Sequence, residues 1–154
     1  MRAAVLTFAL CLAVVGCTST APPLVTHVTP TPMQEVSTAL QFSQAVRVGD
    51  MVWVSGQVGL GAEGIPENAA EQARVAFENL TLVLAEAGAS LDDVVELTTY
   101  HVSMDDFGAF MAVKSEFVAA PFPAWTAVEV SGLAEPSLLV EIKATAVVGS
   151  GATR

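Results

Sequence analysis

The chain has 154 residues, enough for one domain with a sizeable apolar core. Its 16 Asp and Glu residues outnumber its six Lys and Arg residues and give a formal net charge of −10. Such a surface repels phosphate backbones, so nucleic acid is disfavoured as a partner, and we attribute the acidity to solubility.

The first 16 residues, MRAAVLTFALCLAVVG, predict a signal peptide. One positive charge precedes an apolar run that is too short to span a bilayer. The run ends in VVGC, which resembles a bacterial lipobox, whose cysteine is lipidated after cleavage. An ordinary signal peptide with a chance cysteine is the alternative, but Cys17 stands at the very end of the run, which favours lipidation. We therefore expect a lipoprotein anchored on the periplasmic side of the cell envelope. Thr18 after the cysteine favours the outer membrane.

Cleavage would leave the mature chain without a free thiol, because Cys11 is removed and Cys17 carries lipid. Loss of Arg2 leaves five basic against sixteen acidic residues, a net charge of −11. His27 and His101 share no metal-ligand spacing. The sequence thus predicts neither a metal site nor a cofactor.

The mature chain divides into a tether, a domain and a tail. Residues 17–36 are rich in Thr and Pro without an apolar period, which predicts an extended tether. The domain is predicted over residues 37–149, and residues 150–154 form a short tail.

The domain opens with two β-rich runs that flank Gly49-Asp50, a dipeptide suited to a hairpin turn. Alternation in the second run predicts two opposite faces. One face holds Val52, Val54 and Val58, and the other holds Trp53, Ser55 and Gln57.

Two helices are predicted next. Asn68 and Glu71 have the spacing of a capping box, and Gly88 stands where a left-handed C-terminal residue belongs. The core stripe of this first helix is Phe77, Leu80, Leu84 and Ala87. The second helix starts at Asp105 or Asp106 and ends at the prolines after Phe117. Its inward residues are Phe107, Phe110 and Phe117.

A strand in DDVVELTTYHVS separates the helices, and two strands, in AWTAVEVSGL and LLVEIKATAVV, close the chain. The order β-β-α-β-α-β-β predicts an α+β layer with helices on one face of an antiparallel or mixed sheet. We expect the covered face to hold the valines at 52, 54, 128 and 130. Trp53 and Trp125 would then lie on the uncovered face, which implies a homo-oligomer.

Four ordered blocks resemble the RidA/YjgF/endoribonuclease L-PSP family and cover nearly all of residues 37–149. They are FSQAVRVGDMVWVSGQVGL, QARVAFENLTLVLAEAGASLDDVVELTTYHVSMDDF, FPAWTAVEV and LLVEIKATAV. The resemblance implies a chorismate-mutase-like α+β fold and a homotrimer with inward-facing sheets and small-molecule clefts between subunits. It also implies hydrolysis of 2-imino acids and enamines to 2-oxo acids and ammonia.

The resemblance also locates the site. The arginine that clamps the substrate carboxylate in deaminating members is replaced here by Trp125. Family cysteine, tyrosine and asparagine positions are occupied by Ala127, Phe42 and Met111. Ser55 is retained, and Glu141 matches the water-activating glutamate.

These changes make the expected cleft apolar and leave three functions open. In the first, the cleft binds or acts on a less charged or aromatic small molecule. In the second, the protein is a 2-imino acid or enamine deaminase with altered specificity. In the third, it is a scaffold with a plugged cleft. Ordinary imino-acid deamination is disfavoured because no cation is expected near Glu141. Ribonuclease activity is disfavoured by the acidic surface, and His101 is interpreted as a packed or surface residue.

The lipobox gives the first testable prediction. Replacing Cys17 by Ser removes the acceptor of two acyl chains, which together suffice for stable anchoring, so the protein should move from the membrane to the soluble fraction. Cys11→Ala is the matched control and should stay in the membrane fraction. Membrane retention of the Cys17→Ser variant would show that the apolar run is itself the anchor.

Overall fold

A computed structural model describes residues 24–151, which form one mixed sheet with helices on one face. The strands are β1 Val25–Val28, β2 Ala45–Val48, β3 Met51–Val58, β4 Val94–His101, β5 Ala124–Glu129 and β6 Val140–Val147. The helices are α1 Gln34–Leu40, α2 Ala69–Glu86 and α3 Phe107–Phe117. The predicted signal peptide, Cys17 and the end of the tail lie outside the described residues. Within residues 24–151, no helix is long and apolar enough to cross a membrane.

The six strands lie in the order β1-β2-β3-β6-β4-β5. Every neighbouring pair is antiparallel except β4 and β5, which are parallel. Parallel neighbours need a crossover connection, and α3 provides it. The predicted α+β class and its mixed sheet are confirmed.

Helix α2 begins and ends where the sequence predicts. The side chain of Asn68 accepts a hydrogen bond from the backbone N–H of Glu71 at 2.9 Å. Gly88 has a φ of +78°, in the left-handed region that ends helices. The guanidinium of Arg47 donates to the carbonyl of Ala87 at 2.7 Å, which satisfies one of the carbonyls left unpaired at the helix end. The predicted stripe, Phe77, Leu80, Leu84 and Ala87, is buried.

The core lies between the sheet and the pair α2 and α3. Phe77 stacks on Phe110 and Phe117 with ring centroids 6.0 and 5.0 Å apart, so the helices meet through aromatic rings. Offset stacking adds about 0.5–1.5 kcal/mol per pair beyond area burial. On the surface, Arg74 and Glu116 join the same two helices by a bidentate ion pair at 2.7 Å. That pair is solvated, and its contribution is small.

The tether prediction is wrong for its second half, because residues 25–36 belong to the domain. Val28 pairs with Ala45 and is buried, so β1 extends the sheet beyond β2. Helix α1 follows at once. The β-branched run VTHV satisfies the free edge of β2, a tertiary contact that the surrounding Thr and Pro residues conceal in the sequence.

The predicted alternation of β3 is wrong from residue 57 onward. Val54 pairs with Ala144, whereas Gln57 pairs with Ile142, so β3 has one extra residue at this point. Such a bulge reverses the faces beyond it. Gln57 is therefore buried on the helix side. Val58 lies opposite Glu141.

The predicted orientation of β5 is also wrong. Trp125 pairs with Leu97, whose side chain is buried under the helices, and parallel partners share a face. Trp125 accordingly lies on the covered face, and Val128 is exposed on the other. Strand β5 carries apolar residues on both faces, so the alternation of its residues does not show which face is covered. Trp53 does lie on the uncovered face and is 43% exposed.

Gln72 fastens α2 to two loops. Its side chain is 0% exposed, donates to the carbonyls of Pro66 and Ser137 at 2.8 Å, and accepts from the N–H of Leu139 at 2.8 Å. Replacing it by Leu should lower the free energy of unfolding by at least about 2 kcal/mol, because three backbone groups lose their partner. Urea unfolding measures this.

Gln34→Leu, at an exposed position on α1, is the control for the Gln72 variant and should change the stability little. Equal stability of the two variants would show that the buried hydrogen bonds of Gln72 are replaced without cost.

Candidate functional site

The predicted site residues fall into two groups on opposite faces of the sheet. Glu141 lies on the uncovered face, against Gly56, the residue that follows Ser55. Trp125 lies on the helix side with Met111. Ala127, two residues after Trp125 on β5, shares its face. Within one chain the two groups therefore do not form a common cleft.

The first group, which we call the Glu141 half-site, consists of Phe42, Ser43, Ser55, Gly56 and Glu141. Hydrogen bonds join Ser55 to the segment that follows Phe42, and Glu141 is placed by its contact with Gly56. The N–H of Ser55 donates to the carbonyl of Gln44 at 2.9 Å, and its hydroxyl donates to the carbonyl of Ser43 at 2.8 Å. The Ser55 hydroxyl can therefore offer a bound water only its acceptor side.

The β3 bulge positions the carboxylate of Glu141. That carboxylate lies against Gly56 so closely that a Cβ at residue 56 would overlap with it. Glycine is the residue that permits this close approach. The Ser55-Gly56 pair is thus a structural support for Glu141 as well as a part of the half-site.

Glu141 is half-buried, and burial raises the pKa of its carboxyl group. Among residues 24–151 its side chain has no hydrogen-bond or ion-pair partner. A carboxyl group with a raised pKa and free oxygens is suited to hold or transfer a proton through a bound water.

A hollow of about 490 Å³ adjoins Phe42, between α1 and the start of β2. Its lining residues are Thr29, Gln34, Ser37, Thr38, Gln41, Phe42 and Ser43. Gln41 turns the chain into it with a φ of +57°. Sequence reasoning missed this hollow, because Thr29 and Gln34 lie in the segment predicted as a tether and helix α1 was not predicted.

The second group borders a pocket of about 310 Å³ between α3 and the chain that leads into β5. We call it the Trp125 pocket. Its lining residues are Met111, Lys114, Ser115, Val118, Phe122, Pro123 and Trp125. Most of these side chains are apolar, as the sequence predicts for this part of the cleft.

The indole of Trp125 is held on two sides. Its ring stacks on Phe107 with centroids 5.7 Å apart and planes within 8°. Its Nε1 donates to the hydroxyl of Thr99 at 3.1 Å. The indole is therefore a fixed wall of the pocket.

Lys114 is the residue that sequence reasoning missed. Its side chain is 8% exposed, and its Nζ lies 4.3 Å from the ring centroid of Trp125 and 5.8 Å from that of Phe122. Burial lowers the pKa of its amino group. The available signal is its position, since it follows Phe107 and Phe110 at helical spacing and so lies on the apolar stripe of α3.

His101 is packed, in agreement with its interpretation from the sequence. Its ring is buried edge-on against Phe107 and Phe110, with centroids 5.4 and 4.7 Å away. Its Nε2 is 2.9 Å from the hydroxyl of Thr99, and burial lowers the pKa of the ring. Nowhere in residues 24–151 do three His, Cys, Asp or Glu side chains lie close enough to hold a metal ion.

Known proteins resemble this chain over most of the described residues. The family model described as Endoribonuclease L-PSP matches residues 33–148. RutC family protein YjgH of Escherichia coli is 45% identical over 97 residues, which are 61% of this chain and 74% of that protein. A 2-iminobutanoate/2-iminopropanoate deaminase of Dermatophagoides farinae is 36% identical over 110 residues, 70% of this chain and 85% of that protein.

A solved structure agrees with these relatives. Rv2704 of Mycobacterium tuberculosis, a member of the YjgF/YER057c/UK114 family, superposes with a TM-score of 0.71 at 34% identity. The match covers 80% of this chain and 99% of that one. The fold and the family model define the same class of α+β protein. The chain belongs to the endoribonuclease L-PSP family, which is the RidA/YjgF family that its motifs resemble.

Glu141 should make stability depend on pH. The folded-state pKa lies above the ordinary value of 4.5, so the folded state binds more protons between these two values and loses stability as pH rises through that window. Glu141→Gln carries no charge, and it should be more stable than wild type above the window and gain nothing below pH 4.5. Thermal unfolding, measured once below pH 4.5 and once above the window at the same protein concentration, tests this.

The control is Glu63→Gln, at an exposed loop position. It should show no comparable gain. A Glu141→Gln variant with the same advantage at both pH values would contradict a penalty that comes from burying the charge.

Proposed function

We propose that the protein is a homotrimer with small-molecule clefts between its subunits. Each cleft would combine the Glu141 half-site of one subunit with the Trp125 pocket of its neighbour. The separation of the two groups on opposite faces supports this, because neither is a complete site alone. The exposed Trp53 on the uncovered face supports a partner surface there.

The ligand, in this proposal, carries an aromatic or otherwise flat apolar group. The observation that carries this is the Trp125 pocket, whose fixed indole and apolar lining match such a group. Its volume of about 310 Å³ lies at the small end of the range for ligand sites, which suits a single ring. An open pocket also favours a ligand-binding role over a scaffold with a plugged cleft.

Hydrolysis of an imine or enamine is the second candidate, and Glu141 favours it. The carboxyl group has a raised pKa and no protein partner among the described residues, so it can take a proton from a water that attacks the imine carbon. The similarity to a deaminase of the same family agrees with this chemistry. Ammonia release from an imine generated in situ distinguishes turnover from binding alone.

The proposed place of action rests on residues 1–17 alone. We propose that lipid on Cys17 anchors the trimer to the cell envelope, on the periplasmic side of the outer membrane. The tether between the anchor and the domain is then shorter than the predicted 17–36, because β1 begins at Val25.

A single substitution tests the trimer and the shared cleft together. Trp53→Glu places a charge on the uncovered sheet face and should convert the trimer to monomers in sedimentation experiments, since burying an unpaired carboxylate is unfavourable. Binding of the neutral aromatic probe benzamide, measured by calorimetry, should weaken with it. Leu82→Glu is the control, because Leu82 is 40% exposed, close to the 43% of Trp53, but lies on α2.

Trimer and binding should both survive in the Leu82 variant. A wild-type protein that sediments as a monomer would contradict the proposed assembly. A monomeric Trp53 variant that binds benzamide as tightly as wild type would contradict a cleft shared between subunits.

A further inference from the structure

Lys114 presents a charge that the rest of the described chain does not balance. The residue is more than nine-tenths buried through its stem, while its amino group keeps some contact with solvent and has no hydrogen-bond or ion-pair partner among residues 24–151. The salt bridges among those residues join Arg47 to Asp50 and Arg74 to Glu116. Partial loss of hydration around a cation is costly unless an anion or several acceptors accompany it.

Aromatic rings offset only a part of that cost. The amino group lies 4.3 Å from the centroid of Trp125, a favourable cation–π distance. The rings also fix where the amino group lies, since Trp125 is itself held by Phe107 and Thr99. The lowered pKa of Lys114 agrees with a cation whose solvation is incomplete.

The amino group belongs to a pocket. Lys114 is the basic side chain among the residues that line the Trp125 pocket, and the same lining holds no acidic side chain. Met111, Val118 and Phe122 supply apolar surface next to it. A ligand that enters therefore meets one positive charge beside a flat apolar surface.

We propose that Lys114 is the cation of an anion-binding site and that the Trp125 pocket takes a small carboxylate attached to a flat, aromatic or unsaturated group. The inference rests on the proposed small-molecule function and names its ligand class. The carboxylate accepts a hydrogen bond from the Lys114 amino group, and the flat group lies against the apolar lining. The expectation that no cation is available in the cleft is replaced by this assignment.

A carboxylate fits better than a more highly charged anion. One amino group neutralises one negative charge, and no second basic side chain lines the pocket. The chain has a formal net charge of −10, which repels phosphate-like dianions more strongly than monoanions. The pocket volume of about 310 Å³ leaves room for one ring with its carboxylate.

The test compares two probes of the same shape, benzoate and its neutral analogue benzamide, by calorimetry on the full-length protein. Wild type should bind benzoate more tightly than benzamide. Lys114→Met keeps the apolar stem and removes the charge, so benzoate affinity should fall about tenfold or more, as for a lost charged hydrogen bond. Benzamide affinity should change little. Lys114→Arg should retain most of the benzoate affinity.

Arg74→Met is the control, because Arg74 is an exposed basic residue on α2, away from the uncovered sheet face, and its ion pair with Glu116 is solvated. It should bind both probes like wild type, and thermal unfolding confirms that each variant is folded. Equal affinity of wild type for benzoate and benzamide, unchanged in Lys114→Met, would overturn the assignment of Lys114 and leave the proposed aromatic pocket intact. Failure of wild type to bind either probe would overturn the pocket itself.

Discussion

The parallel pairing of β4 with β5 is the constraint on which the candidate site depends. Parallel neighbours cannot be joined by a tight turn, so the chain must cross one face of the sheet between them. It crosses as α3, which covers the face to which Trp125 points. The same crossing sets Lys114 above the indole. The topology therefore creates the pocket, which lies between α3 and the segment that leads from α3 into β5.

The β3 bulge has the corresponding role on the other face. One extra residue turns Gln57 into the core, where it bonds to Gln44, and leaves Gly56 beneath the carboxylate of Glu141. A side chain at residue 56 would displace that carboxylate. The half-buried position that raises the pKa of Glu141 thus originates in a backbone irregularity. Because the bulge and the crossover act on opposite faces, Glu141 and the Trp125 pocket of one chain lie on opposite sides of the sheet.

Much of the fold could be predicted from sequence, because local chemistry determines it. Asn68 and Gly88 bound α2, and Gly49, with a φ of +59°, turns the chain between β2 and β3. The failures involve tertiary contacts. β1 exists because β2 has an edge to pair with, and the faces of β5 depend on its partner β4. A strand of alternating residues has two possible orientations, and its own residues do not decide between them when both faces are partly apolar.

The sequence led to Trp125 but not to Lys114, and the reason is physical. A family resemblance predicts the carboxylate-binding cation at one aligned position only, and this chain has Trp125 at that position. A charge need not come from the same backbone position to reach the same space. Lys114 is on another element, and its long stem carries the amino group along the apolar stripe of α3 to the indole.

A tryptophan at the clamp position supplies the flat surface against which that amino group is held. The substitution and the lysine are thus two halves of one arrangement, in which an aromatic wall positions a cation. A single rotatable amine gives a less directional contact than the planar fork of arginine. Ligand orientation in the Trp125 pocket then depends on the apolar walls, and these favour flat carboxylates over small, flexible ones.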